Sequence, residues 1–183
     1  MSILWPLIMD SLALTGHVTG SFARSDDPGE PGSHLPRLSI TPAEGLVLAA
    51  LAAGRSVFEI GTGLGVSARF MATTAYRIVT FDIDPWVHEQ VWPRLSDQRN
   101  VTCVDWVPEG EQFDMVFIDG MHTTEAVLAD IEIAQRLLKP GGMIVFHDTN
   151  LFSVLEAIRQ SEVGSIFLRE TTHGLGVVWP WAI

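Results

Sequence analysis

Glu59, Gly61, Gly63 and Gly65, in the stretch "VFEIGTGLGVSARF", set a carboxylate at the end of an apolar run and three glycines directly behind it. A backbone that bare lets a ligand touch the main chain itself. A dinucleotide fingerprint would carry its last glycine at position 66, where this chain has Val66. An acid at Glu59 also suits a cationic head better than a pyrophosphate. Asp82, in "VTFDIDP", lies 23 positions after Glu59, where a carboxylate can accept from both hydroxyls of a ribose. Further on, "FIDGMH" offers Asp119 and His122, and "VFHDTN" offers Asp148. Histidine titrates near neutrality and can take a proton. Two aspartates on neighbouring strand tips can hold a divalent cation through oxygen.

Those residues need elements to position them, and short apolar runs alternating with helical stretches supply the pattern of a parallel α/β sheet. Strands are expected at "SVFEI", "RIVTFD", "NVTCV", "FDMVFID" and "GMIVFHD", and then at "SIFLRE" and "GVVWPW", the last two forming an antiparallel hairpin across "TTHGLG". Helices are expected at "VSARFMATTA", "PWVHEQVWPRL", "TEAVLADIEIAQRLL" and "LFSVLEAIRQ". In the third of these Val127, Ile131, Ala134 and Leu138 recur at helical spacing, and "KPGG" ends it. Ahead of the first strand, Thr41 at N-cap, Pro42 at N1 and Glu44 at N3 make a capping box, and Gly54 supplies the stop. The fold class expected is an α/β three-layer sandwich with a mostly parallel seven-stranded sheet and an antiparallel last strand. Every acid of interest then falls at a strand's carboxyl end, where such sheets bind ligands.

Composition narrows the function. The 183 residues carry 11 basic and 22 acidic side chains, a net charge of −11, which argues against binding a phosphate backbone, so no nucleic-acid partner is expected. The hydrophobic fraction of 47% provides for a real core. A single cysteine, Cys103, excludes an internal disulfide and a multi-cysteine zinc site and fits a cytoplasmic setting. Residues 1–36 read as an N-terminal arm followed by the Pro/Gly-rich loop "RSDDPGEPGSHLPR", and 37–183 as the ligand-binding domain. The arm is too short and interrupted to span a bilayer and lacks a basic n-region. Its Ile3, Leu4, Trp5, Leu7 and Ile8 imply a homodimer, or an arm docked on its own domain.

A free ribose diol, a positive head and no phosphate describe S-adenosylmethionine. The competing account of the glycines is a tight strand-to-helix turn with no ligand; Asp82 and Asp119 weigh against it. His122 can equally cap the following helix, Asp148 can be a simple pocket acid, and Trp106 can be a core or rim residue. His147 is expected to pack or hydrogen bond within the sheet, and His17, His34, His88 and His173 have no spacing that suggests a site.

From about Ser39 onward the chain resembles the class I S-adenosylmethionine-dependent methyltransferases, with their Rossmann-like fold. More narrowly it is similar to the small-molecule O-methyltransferases related to the catechol and caffeoyl-CoA enzymes. The resemblance implies that Glu59, Gly61, Thr62, Gly63 and Gly65 carry the methionine part of the cofactor. It implies that Ser67, matching the serine of the family's "GYS", holds the cofactor carboxylate. Asp82 and Ile83 would meet the ribose side, Asp105 and Trp106 the adenine, and Asp119 the methionine moiety. The family's D-x-x-K becomes Asp119 and His122 here, with histidine where the lysine base stands. Its metal-binding D-N pair becomes Asp148 and Thr149, with Asn150 one place late. The implied activity is methyl transfer to a hydroxylated small-molecule acceptor, with Asp119, Asp148 and Asn150 as ligands of Mg²⁺. The alternative is a regulatory protein that binds S-adenosylmethionine without turnover; it would have no use for His122 and Asp148.

Overall fold

The computed structural model describes residues 40–164, 166–169 and 171–180, with the backbone alone for 167–169. The N-terminal arm, its apolar cluster and the Pro/Gly-rich loop lie outside the described residues.

Thr41 opens helix α1 (Pro42–Ala52) as its sequence dictates: the Thr41 Oγ1 accepts from the Glu44 N–H, and the Glu44 side chain accepts in return from the Thr41 N–H at 2.7 Å. Gly54, at φ 69°, turns the chain into β1 (Ser56–Ile60). The remaining elements follow as α2 (Val66–Ala72), β2 (Arg77–Phe81), α3 (Pro85–Gln90), α4 (Trp92–Leu95), β3 (Val101–Val104), β4 (Phe113–Ile118), α5 (Thr124–Leu137), β5 (Leu138–Phe146), α6 (Phe152–Gln160), β6 (Ile166–Arg169) and β7 (Leu175–Val178).

Among the described residues the sheet has seven strands in the order β3-β2-β1-β4-β5-β7-β6. Pairings from β3 across to β5 are parallel, and β7 runs antiparallel to both β5 and β6. The order reverses between β1 and β4, which opens a crevice at their carboxyl ends. Backbone bonds continue past the strand ends there. The Gly61 N–H donates to the Phe81 carbonyl, Asp119 to Ile60 and His147 to Ile118, at 2.8–3.1 Å. The residues at these tips are therefore held in register by the sheet and not by a loose loop.

Alternation sorts the core into two layers. Phe58, Ile60, Val116, Ile118, Ile144 and Phe146 face α5 and α6, while Val57, Ile78, Met115, Phe117 and Val145 face Leu48 of α1 and Phe70 and Met71 of α2. Each large side chain buried this way contributes about 1.5–3 kcal/mol. α5 buries Val127, Ile131, Ala134 and Leu137, with Leu138 buried as the first residue of β5.

Two boundaries differ from the sequence reading. The helix expected over "PWVHEQVWPRL" breaks at Val91 into α3 and α4, because Pro93 has no N–H for the carbonyl four residues back and its ring crowds that carbonyl. "KPGG" does not follow a helix as a loop. α5 stops at Leu137, and Lys139–Gly142 already belong to β5, whose register against β4 shifts between Phe113 and Met115.

Glu44 does more than cap. Its side chain is completely buried, and it also accepts from the His173 N–H at 2.9 Å and faces His173 Nδ1 at 3.1 Å. Burial pushes its carboxyl up, but the hydrogen bonds from Thr41, His173 and Thr171 outweigh that and hold it well below the usual carboxylate range. Glu44→Ala removes a helix cap and leaves buried donors unpaired, so unfolding free energy should fall by about 2–4 kcal/mol. Equilibrium urea denaturation measures it; a loss below about 0.5 kcal/mol, the scale of an ordinary surface substitution, would mean that the α1 terminus does not depend on this carboxylate.

Candidate active site at the carboxyl edge of the sheet

β1 ends in a carboxylate that water does not reach. Glu59 is fully buried, its Oε1 accepts a hydrogen bond from Ser67 Oγ, and its Oε2 has no hydrogen-bond partner. Burial pushes its pKa up to about 8, against hydrogen bonds from Ser67 and Thr80 that pull it down; the charges of Asp119 and Asp82 raise it further. Ser67 is thus turned inward onto Glu59, whereas the resemblance has it holding the cofactor carboxylate. Thr62, also buried, shares a 2.7 Å hydrogen bond with Thr80.

The glycines have separate reasons. Gly61, at φ 94°, sits so close to the Asp119 carbonyl that a Cβ would collide with it. Gly65, at φ 74°, is the N-cap of α2 and faces Val91 and Leu95. Gly63, at φ 49°, donates its N–H to Asp82 Oδ2 at 3.0 Å.

Asp82 is locked from several sides. Its Oδ1 accepts from the Asp84 N–H at 2.9 Å, and its carbonyl lies 2.7 Å from His88 Nε2, whose ring stacks on Trp92 at 3.9 Å between centroids. Each carboxylate oxygen keeps a lone pair, so the side chain can still accept from a diol. Ile83 and Trp106 stand exposed beside it, at 73% and 54%, and Asp105 is exposed. His88, which carried no signal in the sequence, is a support of this loop.

The third group gathers at the ends of β4 and β5. His122 Nε2 lies 3.0 Å from Asp148 Oδ2 and 3.6 Å from Asp119 Oδ1. His147 Nδ1 lies 2.9 Å from the same Asp148 oxygen and 3.1 Å from the same Asp119 oxygen. The two carboxylates hold the His122 imidazole up, to about 9. Burial pulls His147 down, but Asp119 and Asp148 overcome it and raise the ring to about 10. Burial raises Asp148, and the two histidines more than reverse that. His122 is therefore not the free imidazole of ordinary pKa that its loop position suggests; it can accept a proton only when the carboxylate charge beside it is balanced.

His122 does not cap α5 either. Thr123 does, its side chain accepting from the Ala126 N–H, while the His122 carbonyl accepts from Ser153 Oγ at 2.6 Å. Asp148 has φ 55°, a left-handed turn that aspartate tolerates. That turn carries Asn150 away from the pair, so its Nδ2 faces the carbonyls of Thr171 and Thr172 at 3.5 and 3.2 Å. Asn150 is not brought to Asp119 and Asp148 as the metal reading required. His147, expected to pack or hydrogen bond within the sheet, sits on Asp119 and Asp148, and His173, which had no spacing that suggests a site, sits on Glu44.

Comparison with known proteins adds to this geometry. Residues 58–149, half of the chain, match the sequence family described as a methyltransferase domain. An inferred O-methyltransferase of Mycobacterium sp. (strain JLS) is 31% identical over 127 residues, which are 60% of this chain and 56% of that protein. Another, from Mycolicibacterium smegmatis (strain ATCC 700084 / mc(2)155), is 30% identical over 151 residues, 71% of this chain and 66% of its own. The chain thus spans between about half and two thirds of the length of these relatives. Among solved structures, the O-methyltransferase from Bacillus cereus in complex with SAH superposes with a TM-score of 0.67 at 18% identity, over 94% of this chain and 89% of that one. TomG from Streptomyces achromogenes, an O-methyltransferase involved in tomaymycin synthesis and solved in complex with SAM, gives 0.62 at 19% identity, over 90% and 94%. Both share the fold.

The buried Glu59 carboxyl makes a pH prediction. Its folded pKa of about 8 lies above the unfolded value of 4.5, so between those pH values the folded chain binds more protons, and stability falls as pH rises through the window. The loss attributable to this group reaches roughly 4–5 kcal/mol. Thermal melts of the ligand-free protein from pH 5 to 9 should show a decline that Glu59→Gln flattens. Parallel curves for the two proteins would show that Glu59 ionises without penalty.

Proposed function

Because the chain belongs to the methyltransferase-domain family, we propose that it transfers the methyl group of S-adenosylmethionine to a hydroxyl oxygen of a small molecule. The observation that carries this reading is Glu59: a wholly buried carboxyl with one oxygen unpartnered, near the end of β1 where the glycine turn begins. The O-methyltransferase names of the relatives support the reaction class.

In this reading the ammonium of the cofactor restores the charge balance around Glu59, and Asp82, its orientation fixed by Gly63 and Asp84, accepts from the ribose hydroxyls. Ile83 and Trp106 flank the adenine. The acceptor lies over Asp119, His122 and Asp148, where the exposed Met121, Leu151 and Phe152 offer it an apolar wall. The reaction is a direct displacement. The acceptor oxygen forms a bond to the methyl carbon, the sulfur–methyl bond breaks, its electron pair stays on sulfur, and the acceptor proton goes to the His122 imidazole. The protein's work is alignment and proton removal.

Asp119 and Asp148 suit a divalent cation, which when bound lowers the pKa of a hydroxyl and holds it beside the methyl group. Their charge would then no longer hold the His122 proton. A protein that only bound the cofactor would have no need of the His122–Asp148 pair, which favours turnover over a purely regulatory role.

Asp82→Ala removes two charge-assisted acceptors and should weaken S-adenosylmethionine binding by roughly two orders of magnitude in calorimetry. Unchanged affinity would remove the ribose assignment. His122→Ala should lower turnover by roughly 10²–10⁴ at saturating acceptor while leaving cofactor affinity intact; equal turnover would end its role as base.

A further inference from the structure

We propose that His147 is a metal ligand: its Nδ1 joins Asp119 Oδ1 and Asp148 Oδ2 in a three-donor face that selects a divalent ion of the Mn²⁺-to-Zn²⁺ series over Mg²⁺. The proposal deepens the reading above, on which it rests for the place of the acceptor, but metal binding itself requires no turnover.

The spacing is the first ground. The nitrogen lies 3.1 Å from one carboxylate oxygen and 2.9 Å from the other. Donors at right angles around an ion with bonds of about 2.1 Å stand about 3 Å apart. Proton count is the second. A ring nitrogen carries at most one proton, and here one nitrogen faces two carboxylate oxygens. A hydrogen bond serves one of them well, whereas an ion between the three serves all of them.

The third ground lies behind the ring. His147 Nε2 is buried, has no hydrogen-bond partner among the described residues, and faces Glu44 Oε2 at 3.5 Å. A metal-bound histidine characteristically donates its second N–H to a carboxylate, which fixes the tautomer and leaves the first nitrogen bare. Glu44 is well placed for that duty, because Thr41 and His173 prevent it from swinging away. Those same bonds tie Glu44 to α1 and to the β6–β7 connection, so it stands behind His147 as the support of a ligand.

The identity of the ion follows from the donors. Mg²⁺ favours an all-oxygen set, and the asparagine that would complete one, Asn150, is bonded to the β6–β7 connection instead. An imidazole in its place suits the later transition metals, whose affinities for nitrogen sites rise from Mn²⁺ to a maximum at Cu²⁺ and fall again at Zn²⁺. His122 then stays at the open side of the face, 3.0 Å from Asp148 Oδ2, beside the incoming hydroxyl.

The test uses the full chain, stripped of metal by chelation, with three separate readouts. Calorimetry with Mn²⁺, Zn²⁺ and Mg²⁺ should give one equivalent bound, with Mn²⁺ and Zn²⁺ at least tenfold tighter than Mg²⁺. Pulsed electron paramagnetic resonance of the Mn²⁺-loaded wild type should show coupling to a ¹⁴N nucleus, retained in His122→Gln and lost in His147→Gln. His147→Gln should also lower Mn²⁺ affinity by roughly 10–100-fold while changing Mg²⁺ affinity little. Calorimetry with S-adenosylhomocysteine reads the cofactor site independently. Equal affinity for Mg²⁺ and Mn²⁺, nitrogen coupling that survives His147→Gln, or no metal binding in a protein that still binds S-adenosylhomocysteine would each overturn the proposal and leave the methyltransferase reading standing. Failure to bind S-adenosylhomocysteine would strike that reading instead.

Discussion

The Glu44 carboxylate ties together three parts of the chain that the sequence keeps far apart. It closes the capping box of α1, receives the backbone and ring of His173 in the β6–β7 connection, and stands behind His147 at the end of β5. Buried carboxylates are costly unless every lone pair is engaged. Here the engagement is so complete that the group stays ionised without contact with water. The amino end of the first helix therefore seats directly against the tip of the central strands. Thr149 and Asn150 extend the same seam, donating their N–H groups to the carbonyls of Gly174 and His173.

Around this seam the charges settle locally. Glu44, Asp119 and Asp148 stand against the imidazoles of His122, His147 and His173, so a strongly acidic chain interleaves carboxylates with histidines at the ends of β4 and β5. Glu59 is the exception. It is fully buried with Ser67 and Thr80 as its hydrogen-bonding company, and burial pushes its carboxyl up to about 8.

What could be read in the sequence was what is local. The capping box, the alternation of apolar runs and the glycine turn involve residues within a few positions of one another, and the structure bears out the three-layer α/β fold that they imply. The break at Val91 is encoded locally as well, by the missing N–H of Pro93. The site was legible only in part. Asp82, Asp119, His122 and Asp148 fall at or just past strand ends, and the parallel pairing of β4 with β5 brings Asp119, His122 and Asp148 together. His147 and His173 were not: beside its neighbour Asp148, His147 meets Asp119 from 28 positions away, and His173 meets Glu44 from 129 away, and no linear spacing encodes a contact made by folding. Ser67 was given a ligand-facing role by its match to a family motif, and the contact its hydroxyl makes with Glu59, eight positions back, carries no mark in that motif. Asn150 was placed by counting along the chain, and the left-handed turn at Asp148 undoes that count.

Gly61 presses against the Asp119 carbonyl with no space for a methyl group between them. The loop that would cradle the donor and the strand tip that would greet the acceptor are consequently a single rigid edge. That divides the edge into a fixed part and a free one. Met121, Leu151 and Phe152, beyond the ends of β4 and β5, are exposed and can be exchanged without touching the contact. A side chain added at Gly61 would push into the Asp119 carbonyl and shift the turn after β1 and the end of β4 together.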